Sequence, residues 1–407
     1  MTDKIPVPDE LGRRLVTGRH DAAASPASSS GGRRLRLAVA VAPAVIAAAV
    51  VVAVVLSAAG GSKPSPAARA LDDAADAALG STVPILQPGQ YWYTRTISSS
   101  VLPWPLLPRV FRTVPTHPQT VPLDTRESVE TWIGLDRTLR RREVPLSIGF
   151  PSAGARARWR RSGAQLPNIG STDSITAGDG RFPPEGGGGG DAGDGLFTYR
   201  QLLALPTSPA SLRVALVGAQ AGLDRREEQG LKDAGSPPSG SGQSTGSQML
   251  TSKGVAIPLY APSSLAVADS SELLMTITSL LTAPVPSAVR AALYRLAATL
   301  PGVVYDGRAR DALGRAGVEV QLGHGSAGWR MIFDPNTGEL LQTALLTDNP
   351  AATAAGFGGI TETFAARGVS DSIRSVPPGF PPSPGRVPPA RTASILPLTG
   401  LRSTTVR

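Results

Sequence analysis

No charged side chain interrupts residues 37–59, LAVAVAPAVIAAAVVVAVVLSAA. As a helix this stretch would reach about 34 Å at roughly 1.5 Å per residue, enough for a hydrocarbon core of about 30 Å. Pro43 falls one turn in, where a missing N–H costs least. Arg33, Arg34 and Arg36 abut the start. Beyond the end come only Lys63 and Arg69, then Asp72, Asp73 and Asp76. The positive-inside bias therefore predicts a single-pass cell-membrane protein with a cytoplasmic N-terminus and an extracytoplasmic C-terminal domain. A cleaved signal peptide is the main competing reading, because Ser57 and Ala59 suit the small positions before a cleavage site. Its apolar region usually spans only about 7–15 residues. A buried soluble helix is a third reading.

The chain carries a net charge of +9 and no cysteine. The missing cysteines exclude disulfides, thiolate metal sites and a cysteine nucleophile. Up to residue 36, Lys4, Arg13, Arg14, Arg19, Arg33, Arg34 and Arg36 outnumber Asp3, Asp9, Glu10 and Asp21. The remaining excess is mild and scattered. No basic stripe interleaves with aromatics, so nucleic acid is not an expected partner.

Residues 1–36 read as a mostly disordered cytoplasmic tail and 60–69 (GGSKPSPAAR) as a tether. An α+β domain is expected over 70–374, with Gly/Pro-rich flexible inserts near 163–196 and 225–250. A Pro-rich disordered tail follows over 375–407. ALDDAADAAL (70–79) suits a helix. In QYWYTRT, Tyr91, Tyr93 and Arg95 alternate with Trp92, Thr94 and Thr96, the period of a strand. Residues 101–122 are Pro-rich and read as irregular. ESVETWI (127–133) alternates again, and RTLRRREV can pair back on it across Gly134–Asp136. Residues 198–219 read as two short helices broken at Pro206, with Ser208 as cap of the second. A helix is expected from Pro262 to Leu281. Another opens at Pro286, with Val289, Leu293, Leu296 and Leu300 as its core stripe. GVEVQLG, GWRMIFD and GELLQTALL form three strands of a meander, the last two joined by the turn Asp334–Gly338. The fold class is thus α+β: one transmembrane helix, then an antiparallel, curved sheet packed by helices.

Chemistry-bearing motifs are few. His20, His117 and His324 are far apart in sequence, and none has a second histidine or a carboxylate at metal spacing. Gly242-Gln243-Ser244-Thr245-Gly246 matches the nucleophile-elbow pattern. However, it lies in a Ser/Gly stretch without the strand and helix that hold a nucleophilic serine. The run Gly186–Gly190 lacks the Lys and Ser/Thr of a phosphate loop. Asp72, Asp73 and Asp76 suit a solvated helix face. No catalytic, cofactor or metal residue is nominated.

ALPTSPASLR, VPSAVRAALYRLAATLPGV, DALGRAGVEVQL and WRMIFDPNTGELL occur in this order behind an Arg-flanked apolar helix. Together with QPGQYWYTRT and ETWIGLD, this set resembles a family of uncharacterised actinobacterial single-pass membrane proteins, over about residues 33–375. The resemblance implies membrane anchoring and an outer domain without known catalysis. More loosely, the outer domain is similar to the sensor and lipid-carrier domains of periplasmic sigma-factor regulators and lipoprotein carriers. The glycine-rich insert and the long C-terminal tail depart from that pattern.

Three function classes follow. The first is a non-enzymatic, membrane-anchored binding or sensor protein, its partner a lipid or an envelope or regulatory protein. The second is a structural protein that interacts with the envelope, and the third a hydrolase.

Overall fold

A computed structural model describes residues 63–105, 120–167, 169–177, 180–182, 195–233, 248–250, 256–258, 265–323, 328–347, 353 and 357–381. Residues 37–59 lie outside these, as do His20, His117, His324, Ser244 and Gly186–Gly190. No helix among the described residues is long and apolar enough to cross a membrane.

Helix α1 (Pro66–Gly80) starts where Ser65 accepts a hydrogen bond from the Ala68 N–H at 3.0 Å, with Pro66 at the first helical position. Ala67, Leu71, Ala74, Ala75 and Ala78 are its buried face. Helix α1 therefore takes in residues 66–69, part of the segment expected as a tether. The chain continues with β1 (Tyr91–Pro105), β2 (Thr120–Gly134), β3 (Thr138–Gly149), α2 (Ala153–Ser162), β4 (Thr172–Ala177), β5 (Arg181–Phe182) and β6 (Phe197–Thr198). Next come α3 (Tyr199–Leu203), α4 (Pro209–Asp233), β7 (Gln248–Leu250), β8 (Ala256–Pro258), α5 (Leu265–Thr282) and α6 (Ser287–Ala298). Five strands close the domain: β9 (Val303–Arg310), β10 (Ala316–Leu322), β11 (Gly328–Asp334), β12 (Glu339–Leu346) and β13 (Gly359–Ser370).

Nine strands form one antiparallel sheet in the order β4-β3-β2-β1-β13-β12-β11-β10-β9. Two meanders, one from each half of the chain, meet where β1 pairs with β13. The fold class is α+β, a large antiparallel sheet packed by helices. Helix α5 covers β10–β12, and α6 lies between α1, α4 and α5. The predicted stripe of α6 is buried: Val289, Leu293, Leu296 and Leu300 are all within the core. The Asp334–Gly338 turn forms as expected between β11 and β12, with Phe333 fully buried.

Several boundaries differ from the sequence reading. The segment 101–122 is not irregular throughout, since β1 runs on to Pro105 and β2 begins at Thr120. Pro103 and Pro122 face each other in register. Two residues without an N–H can face each other only at a non-hydrogen-bonded pair, and there their rings leave the ladder intact. The insert expected as flexible over 163–196 contributes edge strand β4 and a fully buried Phe182, with Leu196 and Phe197 also in the core. Beyond the predicted helix at 209–219, α4 continues to Asp233, into the second expected insert. The folded chain also passes Arg374 and remains packed to Pro381. Ile373, Val376 and Phe380 lie against Tyr93 and Trp132 on the sheet face opposite the helices.

Candidate functional site

On β1 the strand period sends Trp92, Thr94, Thr96 and Ser98 toward the helices, and Tyr93 and Arg95 to the other face. On β2, Glu127, Val129, Thr131 and Ile133 face inward, while Ser128, Glu130 and Trp132 face outward and are buried there. A sheet face packed by helices is ordinarily apolar. Here its middle carries short hydroxyls and carboxyls, which neither fill space nor repel water. The result is a cavity of about 130 Å³. It is partly open to solvent and bounded by β1, β2, β3, β5, β11, β12, β13 and the last turn of α5. Aromatic walls come from Trp92, Phe182, Trp329 and Phe364. Trp92 is held by its Nε1–H, which donates to the Thr282 carbonyl at 2.9 Å.

Three inward carboxyls stand near the cavity, and only one is paired. Glu143 accepts from Arg141 Nε at 2.7 Å and from the Thr172 hydroxyl at 3.1 Å. Glu127 and Glu362 line the cavity and accept no hydrogen bond from any other described residue. Burial raises the pKa of both above the ordinary carboxylate value. Glu143 adds to the rise at Glu127, and Glu127 adds to it at Glu362; Arg141 opposes both. The indole N–H of Trp329, also in the wall, is buried without an acceptor among the described residues.

The opposite face of the same strands behaves differently. Glu130, fully buried, accepts from Tyr93 Oη at 2.6 Å, Arg95 Nε at 3.2 Å and Arg142 Nη1 at 3.3 Å. Arg95 also donates to the Pro381 carbonyl, and Trp132 Nε1 to that of Ser375 at 2.6 Å. The C-terminal strap thus closes a satisfied ionic network, whereas the inner face leaves two carboxyls open. Burial, and then the hydrogen bond to Glu130, push the Tyr93 phenol well above its usual range.

No group of three or more His, Asp or Glu side chains among the described residues could hold a metal ion. Among the described residues, no imidazole stands beside the hydroxyls in the cavity wall. The arrangement can hold a small molecule with an apolar body and a polar end. Of the predicted features, the alternation at Tyr91–Thr96 and at Glu127–Ile133 points to this site, through the inward Thr-Thr-Ser row. Glu127 and Glu362 were not anticipated as site residues. Glu362 lies on β13, whose GITETFAARGVS lacks a clean alternation because its pairing with β1 is irregular between Arg95 and Thr96. No protein-family model, curated protein or solved structure matches the chain.

Proposed function

We propose that this is a non-enzymatic binding protein, anchored in the cell membrane by residues 37–59, whose extracytoplasmic domain takes a small molecule into the cavity between the sheet and α5. The observation that carries this reading is the inward row Thr94, Thr96 and Ser98 framed by aromatic walls. Small hydroxyls at the centre of a helix-packed face forgo core packing, and a packed interior ordinarily leaves few voids larger than a water. The uncharged stretch at 37–59, its flanking arginines and the resemblance to single-pass membrane proteins support the anchor. Occupancy relayed to the cytoplasmic tail would make the protein a sensor.

Two measurements test this. Full-length protein should stay with membranes through a carbonate wash; a chain beginning near Gly60 and released to the medium would overturn anchoring. Native mass spectrometry of the protein purified from membranes should show a bound small molecule that is lost when Thr96→Phe fills the cavity. Wild-type protein that carries nothing would overturn the binding role.

A further inference from the structure

We propose that the cavity selects a small organic cation, an ammonium group on a short apolar body, with Glu362 and Glu127 as its anchors. The inference rests on the binding role above and names its ligand class. In register, Ser98 of β1 stands directly opposite Glu127 of β2 on one side and Glu362 of β13 on the other. With strands about 4.8 Å apart, an ammonium placed over Ser98 is within reach of both carboxyls. Glu362 is also opposite Thr343 of β12, so hydroxyl acceptors lie on both sides of it.

Glu362 is set deep among protein atoms, yet it keeps some accessible surface. That surface faces the cavity. It has no hydrogen-bond partner among the described residues, so its oxygens are left to whatever enters the cavity. The inward cations nearby are committed elsewhere. Arg141 bonds Glu143, and Arg367, further along β13, bonds Glu339 and the carbonyls of Leu281 and Leu340. Among the described residues, Glu127, Glu143 and Glu362 thus face one lining guanidinium, Arg141, and the missing counter-charge is what a cationic ligand supplies. Trp92 and Trp329 line the cavity, and an indole attracts a cation placed over its ring. A cavity of about 130 Å³ is close to the roughly 150 Å³ that admits benzene. The fitting portion is therefore some five or six non-hydrogen atoms.

Tryptophan fluorescence of the full-length protein in detergent, titrated with butylammonium, 1-butanol and butyrate, tests the inference. Butylammonium should bind about tenfold or more tightly than 1-butanol, and butyrate should not bind. Glu362→Gln should remove that advantage, a loss of about tenfold or more expected for one charge-assisted hydrogen bond, and leave 1-butanol unaffected. Glu127→Gln, with its fold checked by circular dichroism, should act in the same direction. Equal binding of ammonium and alcohol, tighter binding of butyrate, or no ammonium binding at all would each overturn the proposal. Failure of the binding role itself looks different: nothing co-purifies with wild-type protein, and Thr96→Phe changes nothing.

Discussion

Glu130→Ala isolates the ionic network under the C-terminal strap. Glu130 is fully buried and Arg95 is 6% exposed, so neither charge is shielded by water. Removing the carboxylate leaves the Arg95 guanidinium with the Tyr93 hydroxyl and the Pro381 carbonyl but no counter-ion among the described residues. Breaking a buried pair in this way costs about 3–5 kcal/mol, most of it the penalty of an uncompensated charge. The double variant Arg95→Met, Glu130→Leu removes both buried charges at similar volume and should recover part of that loss, the buried Tyr93 hydroxyl still lacking its acceptor. Urea denaturation followed by tryptophan fluorescence is a suitable assay, because Trp132 lies 5.0 Å from Tyr93, ring centre to ring centre. The cost should persist at high salt, since buried charges are weakly screened. A single-variant cost below about 1 kcal/mol, or a double variant no more stable than the single, would refute the reasoning.

Phe333→Ala should cost about 3–5 kcal/mol in the same assay, because the ring is fully buried and lies 5.5 Å from that of Tyr294. A loss under about 1 kcal/mol would contradict the packing. Gly338 has φ +63°, and a Cβ there would stand 2.5 Å from the Ala74 carbonyl oxygen of α1. Gly338→Ala should therefore lower stability by about 2 kcal/mol or more, read as a shifted melting temperature, through strain plus displacement of the helix. The Glu362 carboxyl is raised first by burial and then by Glu127. Between its ordinary value of 4.5 and its raised value, the folded state holds a proton that the unfolded state has lost, so stability falls as pH rises through that window and then levels. Glu362→Gln should make that decline shallower, leaving the part that Glu127 contributes, and melt higher than wild type at neutral pH. A melting profile that declines as in the wild type would show that the carboxyl is not buried as described.

Local chemistry made much of the fold legible. Period-two alternation marks β1 and β2, the 3.6-residue stripe marks α6, and Asp334-Pro335-Asn336-Thr337-Gly338 marks a turn, because each reports a preference that acts within a few residues. Edge strand β9 carries no such signal, being mostly exposed along its length. β13 hides its signal because Glu362 and Thr361 sit where an apolar pattern would be sought. The pairing of β1 with β13 joins the ends of the domain and has no local signature. Glu127 and Glu130 show what only the tertiary structure could decide. They are the same residue type three positions apart in one alternating segment. Alternation places them on opposite faces without saying which face is which. Packing then turned Glu130 into a network closed by Arg95, Arg142 and the strap, and left Glu127 unpaired at a cavity. Whether a carboxyl is structural or open to a ligand depends on which distant strands and side chains surround it, and that is set by the long-range pairing of the sheet.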